Sequence, residues 1–387
     1  MRKPTVILLC LMLVLTVFLM TACQGGGEPA AQEPDETTEP AEPAKEPEPT
    51  QQAEAEEPEP EFPTEIPPGL KIGYGVSTLN NAFHQSHAEW AKKYAKEEYG
   101  AEVQIFDGQS DANVMAQNFD QAIAQGMDMV TLHIWQGESI RAAAMEAIEN
   151  GMVISTYFDK IPDLPIPHTM PGEAEISFQM GKIAAEKWLE AHPDKPIKFV
   201  QIGWPDHEGV TVGRTDPFRE GVLSVAPDAE DLGCMDASAG ADAAFAVTQD
   251  LIQAHPDINI IYSQAADLTV GVLPALQQLG RGVMKDGVPV TEILVSVDCP
   301  ETELIDIFDP NCSLKMSMGL PPIETAKVRI DTLMDIYLGK IPQLDETLDT
   351  IYIPNTLIGY WTQSSVEEAV KWYNEQFGEN LEVPTYD

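Results

Sequence analysis

The sequence has few basic residues: 22 Lys and Arg stand against 63 Asp and Glu in 387 residues, giving a formal net charge of −41 at pH 7. A surface of this charge repels nucleic acid and phosphorylated ligands. Nucleic-acid binding is therefore excluded, whereas neutral or cationic small molecules are compatible ligands. Solubility alone is the simpler explanation of the acidic surface.

Cysteine is also scarce, with five residues in the chain. Cys234, Cys299 and Cys312 show neither the CxxC spacing of redox sites nor the spacing of metal sites. At most one disulfide can form among them, with Cys299 and Cys312 as one candidate pair, and one thiol is then left over.

Long hydrophobic runs are absent after the N-terminus, so no later segment reaches the about 20 apolar residues that span a bilayer. Residues 1–22 combine a basic start, a short apolar segment from Val6 to Met20 and small residues before Cys23. This pattern predicts a lipoprotein signal peptide that is removed, with lipid attached to Cys23. The protein is then extracytoplasmic and anchored to membrane lipid; an ordinary signal with a chance Cys23 is the alternative.

Large apolar side chains are almost missing from Gln24 to Pro68, where fourteen acidic residues occur with one Lys and many Pro and Ala. Such a segment cannot bury enough surface to fold, and its proline and like charges keep it extended. Together with Cys23 it is predicted to form a disordered tether, residues 23–68, that holds the folded part away from the membrane.

Catalytic and phosphate-binding motifs are missing as well: the sequence contains no P-loop, no HExxH and no GxSxG. His84, His87 and His133 have no cysteine or matched carboxylate with them, so they predict surface or cleft histidines rather than a metal site. We therefore expect no enzyme activity, no catalytic residues, no cofactor and no metal.

From Gly69 onward, short β-rich apolar runs alternate with longer segments of helical period, which is typical of βα units in a parallel sheet. The predicted strands of the first half are Lys71–Val76, Glu102–Phe106, Met129–Leu132 and Val153–Thr156. The predicted helices between them, each followed by a glycine that ends it, are Phe83–Tyr99, Ala112–Gln125 and Ser139–Asn150.

A second series follows the Pro-rich stretch Ile161–Pro171. Its predicted helices are Ile176–Ala191, Asp216–Val225 and Ala241–Ala254, and its predicted strands are Ile197–Ile202, Ile258–Tyr262 and Ile293–Val297. The length fits two α/β lobes with doubly wound parallel sheets, since single cores stop growing near about 250 to 300 residues. Ligands of such sheets bind beyond the carboxyl ends of the strands.

The loop after the first predicted strand reads Ser77-Thr78-Leu79-Asn80-Asn81-Ala82-Phe83-His84. It resembles the opening loop of the ribose- and galactose-type sugar-binding proteins of ABC importers, the type I periplasmic sugar-binding family. Similar segments follow in order along most of the chain, at Asp107–Asp111, Gln253–Asp257, Val295–Asp298 and Leu314–Gly319. Their order and spacing together make the resemblance specific.

The resemblance implies two similar lobes joined by a three-segment hinge that close over a ligand. The first lobe is expected to comprise residues 69–171 and 320–350, and the second residues 172–319 and 351–387. A small-molecule ligand, above all a monosaccharide, and an ABC permease are the implied partners. A nucleoside, a furanone signal or an amine are alternative ligands, and a sensory lipoprotein that feeds a membrane receptor is an alternative role.

Four residues match ligand contacts of the family: Asn81, Phe83, Arg214 and Asp298. The Asn81 amide can donate to and accept from a hydroxyl, and Phe83 can stack on a sugar ring. Asp298 can accept from ligand hydroxyls, cap the following helix, or do both. A turn role for Asn81, a core role for Phe83 and a surface position for Arg214 are the alternatives.

The sequence departs from the family pattern beside these residues. Tyr157 and Phe158 replace an Asp-Arg pair, Trp135 follows soon after His133, and His84 occupies the second aromatic position of the opening loop. This exchange of charge for rings suits a less hydroxylated ligand or, in an acidic cleft, a cationic amine. Packing between the lobes is the alternative role of the Trp, Tyr and Phe side chains.

Overall fold

The structure, a computed structural model, describes residues 62–363 and 365–386, so the predicted signal peptide, Cys23 and most of the tether lie outside the described residues. Within the described ranges no helix is long and apolar enough to cross a membrane. Ile66 packs against the core of the first lobe, so ordered contacts begin before the predicted end of the tether at Pro68. Burial of the apolar Ile66 side chain stabilises the fold, whereas burial of the acidic side chains before it would not.

The described chain folds into two lobes, each with its own sheet and with helices on both faces of that sheet. The helices and strands in chain order are β1 (Lys71–Val76), α1 (Ala82–Tyr99), β2 (Glu102–Asp107), α2 (Ala112–Ala124), β3 (Met129–His133), α3 (Arg141–Glu149), β4 (Val153–Tyr157), β5 (His168–Pro171), α4 (Ala174–Ala191), β6 (Lys198–Gly203), α5 (Glu208–Val210), α6 (Asp216–Val225), β7 (Glu230–Asp236), α7 (Ala241–Ala254), β8 (Ile260–Ser263), α8 (Ala266–Gln278), β9 (Met284–Lys285), β10 (Val288–Pro289), β11 (Ile293–Asp298), α9 (Glu301–Phe308), β12 (Leu314–Gly319), α10 (Pro322–Tyr337), β13 (Ile351–Ile353), β14 (Thr356–Gly359) and α11 (Val366–Phe377).

The first sheet has the strand order β13-β5-β4-β3-β1-β2, and all of its neighbouring strands are parallel. The second sheet has the order β14-β12-β11-β8-β6-β7, with β14 antiparallel to β12 and the other pairs parallel. These two doubly wound sheets confirm the predicted fold class.

Most predicted elements are present with shifted ends. The predicted helix Ser139–Asn150 is wrong at its start, because a 3₁₀ turn over Gly137–Ile140 precedes α3. The predicted strand Ile258–Tyr262 begins later, at Ile260, since the Ile258 N–H is used in a turn to His255 O. The Pro-rich stretch also contains a strand, β5, which lies between β4 and β13 in the first sheet and has its one proline, Pro171, at its last position.

The chain crosses between the lobes three times, after β5, after β12 and after β13. The expected assignment of Ile351–Ile353 to the second lobe is wrong, because this strand pairs in parallel with Thr169–Pro171 of the first sheet. The backbone of β5 would otherwise leave its outer hydrogen-bonding edge unpaired. The third crossing therefore lies between Ile353 and Thr356.

Two local features bring the loop after β1 to the end of the sheet. A side chain at Gly75 would place its Cβ 2.9 Å from the backbone nitrogen of His133, so glycine allows β1 and β3 to approach. Asn81 begins α1, and Gly100 ends it in the left-handed region at φ 65°. The loop between β1 and α1 is therefore held by the close approach of β1 to β3 at one end and by the Asn81 cap at the other.

The three described cysteines, Cys234, Cys299 and Cys312, are free thiols. The candidate pair of Cys299 with Cys312 is therefore not formed. Both side chains are buried in the core of the second lobe, where they pack as small apolar groups.

Candidate ligand-binding site

A cavity, partly open to solvent, lies where the carboxyl ends of the two sheets face each other. This is the position at which doubly wound sheets bind ligands. The structure brings all of the predicted site residues to its wall: Asn81, Phe83, His84, His133, Trp135, Tyr157, Phe158, Arg214 and Asp298. Their contact with a ligand stays a prediction.

Asn81 and Asp298 join the lobes directly. The Oδ1 atom of Asn81 accepts from the backbone N–H groups of Phe83 at 2.9 Å and His84 at 3.3 Å, so Asn81 caps α1. Its Nδ2 atom donates to Asp298 Oδ2 across the cleft at 2.8 Å. The turn role and the site position of Asn81 therefore coexist, since they use different atoms.

Asp298 ends β11 in an unusual backbone conformation, with φ at 88°. Its carboxylate accepts from Ala266 N at 3.1 Å, at the start of α8, and from Asn81. The alternative that Asp298 caps the helix after it is wrong, because Pro300 begins α9 without a side-chain cap. Strained backbone of this kind persists where the surroundings hold it, and it aims the carboxylate into the cavity.

Arg214 is buried rather than on the surface, and it is already paired. Its Nη2 and Nε atoms donate to the two carboxylate oxygens of Glu173 at 2.6 and 2.9 Å, and Nη1 donates to Gln264 O at 2.5 Å. Burial lowers the pKa of Arg214, but the attraction and hydrogen bonds of Glu173 outweigh it and raise the pKa overall. The positive charge of Arg214 is therefore already balanced by Glu173.

Aromatic rings form one side of the cavity. His133 packs edge-on to Tyr157 with ring centroids 5.2 Å apart, and Trp135 packs edge-on to His207 of the other lobe at 5.2 Å. The ring centroids of Phe158 and His207 lie 5.7 Å apart. The rings line the cavity and also pack between the lobes, so the packing role is present in the structure and their contact with a ligand stays a prediction.

Phe83 reaches across the cleft from the start of α1. It is 1% exposed and belongs to the apolar cluster of the second lobe that contains Val297, Met318 and Leu320. It also lines the cavity. Its core role is therefore present in the structure, and it ties the first lobe to the second.

Comparison with known proteins decides the family. The family described as periplasmic binding protein domain matches residues 72–341. The chain belongs to this family. It is accordingly an extracytoplasmic solute-binding protein with the type I fold, as the opening loop implied.

Curated relatives of this binding protein include the ribose import binding protein RbsB of Bacillus subtilis (strain 168). That relative is 24% identical over 284 residues, which cover 70% of this chain and 82% of the relative. The ribose import binding protein RbsB of Escherichia coli (strain K12) is 22% identical over 229 residues, covering 58% and 75%.

Solved structures show the same fold. The Caulobacter myo-inositol binding protein bound to myo-inositol has a TM-score of 0.64 at 17% identity, covering 79% of this chain and 97% of that one. The 5-methylthioribose transporter solute binding protein of Thermotoga lettingae has a TM-score of 0.63 at 12% identity, covering 83% and 100%.

The binding protein also places residues at the cavity that sequence reasoning missed: Ser77, Trp204, His207 and Asp267. Ser77, Trp204 and His207 follow the strands β1 and β6, so their position beyond a strand end was a usable signal. Asp267 lies in the first turn of α8 and not directly after a strand, so its position gave no such signal. Burial and the neighbouring Asp298 raise the pKa of Asp267 to about 6.

Proposed function

We propose that this protein captures a monosaccharide or closely related polyol between its lobes and delivers it to an ABC permease. The observation that carries the proposal is the meeting of Asn81 and Asp298, one from each lobe, on the wall of a cavity lined by aromatic rings. Hydrogen-bonding groups fix hydroxyls, and ring faces cover the apolar face of a sugar. The curated relatives are ribose import binding proteins, which supports the same ligand class.

The geometry explains how a ligand would couple to closure. Asn81 donates and Asp298 accepts, so a hydroxyl inserted between them accepts from the amide and donates to the carboxylate. Both groups stay satisfied only when the two lobes are close. Ligand binding therefore stabilises the closed arrangement, and the proposal assigns the cavity a binding role without a reaction.

A thermal-shift and calorimetry panel tests the ligand class, with D-ribose, D-galactose, L-arabinose, myo-inositol and spermidine at low and high salt. A neutral sugar present at 100 times its dissociation constant should add about 2.7 kcal/mol to stability. Its affinity should hardly change with salt, because no charge is paired on binding. Salt-sensitive binding of spermidine, with no response to any sugar or polyol, would contradict the proposal.

We further propose that the protein is anchored by lipid on Cys23. The support is the sequence of residues 1–23, with its basic start, apolar segment and small residues before the cysteine. The chain should partition with membranes, and Cys23→Ala should move it to the soluble fraction. A wild-type chain that is already fully soluble would contradict the anchor and leave the ligand proposal intact.

A further inference from the structure

A hydrogen-bonded row of four side chains runs from the core of the first lobe to the cavity. The Tyr74 hydroxyl lies 3.0 Å from His87 Nδ1, and His87 Nε2 lies 2.9 Å from His84 Nδ1. His84 Nε2 lies 2.8 Å from Ser77 Oγ. Tyr74 and His87 are 0% exposed, whereas Ser77 and His84 line the cavity.

Arg329 stands at the inner end of this row. Its guanidinium lies 3.8 Å from the ring centroid of Tyr74 and 4.4 Å from that of Tyr157. It donates to the carbonyl oxygens of Gly75 at 2.8 Å and Thr131 at 3.1 Å. Within the described residues it forms no ion pair with a carboxylate, so a positive charge remains at this end.

The position of Arg329 decides which atom donates in each hydrogen bond of the row. Arginine has donors only and cannot accept the Tyr74 proton, so the acceptor for that proton among the described residues is His87 Nδ1. A buried hydroxyl left without an acceptor is costly, which favours donation from Tyr74 to His87. A neutral His87 then carries its own proton on Nε2 and donates to His84, and His84 donates to Ser77.

Both imidazoles are held neutral. Burial, helped by the Arg329 cation, lowers the pKa of His84 to about 3. Burial also lowers the pKa of His87 well below its ordinary value. Each ring therefore has one donor and one acceptor, as a row with a single direction requires.

We infer that this row fixes the Ser77 hydroxyl as a hydrogen-bond donor into the cavity, so that the bound sugar turns an acceptor oxygen toward the first lobe. Ser77 Oγ accepts from His84, which leaves its own proton for the cavity. The inference rests on the proposed function and adds the orientation of the sugar.

Two further groups of the first lobe agree with this polarity. Trp135 Nε1 is buried without a hydrogen-bond partner within the described residues, and an indole N–H can only donate. Asn81 also presents its donor atom toward the second lobe, where Asp298 accepts. Trp135 and Asn81 thus agree with a donor at Ser77, although donors are not confined to the first lobe, because Trp204 Nε1 of the second lobe is also buried without a partner within the described residues.

Nitrogen NMR of the ligand-free chain tests the direction without any sugar. Both His84 and His87 should show the tautomer protonated on Nε2 at neutral pH. Protonation on Nδ1 in either ring, or on both nitrogens, would overturn the inference. Tyr74→Phe should abolish the fixed tautomer of His87, whereas the matched change Tyr94→Phe, whose hydroxyl bonds Asp331 instead, should leave it unchanged.

Calorimetry with the sugar that binds best in the panel tests the consequence. Ser77→Ala should weaken its binding about tenfold or more, while Ser224→Ala, whose hydroxyl bonds Gly221 O on α6, should not. Unchanged affinity in Ser77→Ala would overturn the inference. If no sugar binds even to the wild-type chain, the proposed function fails, and the tautomers alone decide the direction of the row.

Discussion

At the residue scale, Asn81 has two roles that rest on two different side-chain atoms, one in the folding of α1 and one in the contact between the lobes. Its Oδ1 atom caps α1, and its Nδ2 atom donates to Asp298 of the other lobe. Substitutions can therefore remove the interlobe donor with or without the cap. The choice of side chain decides whether folding or binding is affected.

Asn81→Ala should lower the free energy of unfolding by about 1 kcal/mol through loss of the cap, and should also weaken sugar binding. Asn81→Ser should keep most of the stability, because serine also caps helices, yet weaken binding by about 1 to 3 kcal/mol. Urea unfolding and calorimetry measure the two effects. Equal destabilisation by both variants would show that the cap is not what alanine removes.

The buried pair of Arg214 with Glu173 gives a second prediction at this scale. Glu173→Gln leaves a buried guanidinium without its counter-charge and should destabilise the protein by about 3 to 5 kcal/mol. The double change Arg214→Met with Glu173→Met should cost less, since no charge is left unpaired. The exposed pair of Lys187 with Glu190 is the control, because Glu190→Gln should cost about 0 to 1 kcal/mol in the same urea titration.

At the element scale, α9 inserts a buried acid beneath the end of β11. Glu303 Oε1 lies 2.5 Å from Ser296 Oγ on β11, and Oε2 accepts from Ser317 Oγ on β12 at 2.8 Å. Burial raises the pKa of Glu303 from 4.5 to about 8. The strand that ends at Asp298 is thus braced by a carboxyl group that is protonated at neutral pH.

This carboxyl predicts a stability that depends on pH. Between pH 4.5 and about 8 the folded chain keeps the Glu303 proton while the unfolded chain releases it. The contribution is therefore fully present below pH 4.5 and is lost as pH rises through about 8. Glu303→Gln should flatten the fall in unfolding free energy by about 1 to 4 kcal/mol over this range. Urea titrations at several pH values measure it, and an unaltered slope would contradict it.

At the scale of the whole molecule, the lobes meet closely beside the aromatic side of the cavity. A Cβ atom at Gly209 of the second lobe would lie 2.7 Å from Asp159 Oδ1 and 3.2 Å from the Phe158 ring of the first lobe. His207 Nε2 also lies 3.2 Å from Asp159 Oδ2 across the cleft. A side chain at position 209 would therefore have to displace the Asp159 carboxylate, and a branched one would also press on the Phe158 ring.

Gly209→Val should hinder closure and weaken sugar binding, with little effect on the folding of either lobe. Small-angle scattering should show a radius of gyration that no longer falls when sugar is added. Glu208→Val is the matched control, because it adds the same side chain at an exposed neighbouring position. Normal compaction in Gly209→Val would show that this contact does not limit closure.

The sequence by itself determined the alternation of strands and helices and the loops that reach the cavity. Residue periodicity and helix-ending glycines are local signals, and the ends of parallel strands meet at one edge of a sheet. The positions of His133 and Tyr157 at strand ends, and the family resemblance for Asn81 and Asp298, were sufficient to predict that these four residues lie at the cavity.

Only the tertiary structure decided which distant groups meet. Arg214 pairs with Glu173, 41 residues away, and Arg329 bonds the backbone of Gly75, 254 residues away. The short strand Ile351–Ile353 likewise joined the first sheet through pairing with β5. Local periodicity carries no information on such partners, because only the packing of the complete core brings them together. Buried polar groups are then hydrogen-bonded to the groups that the packing places beside them.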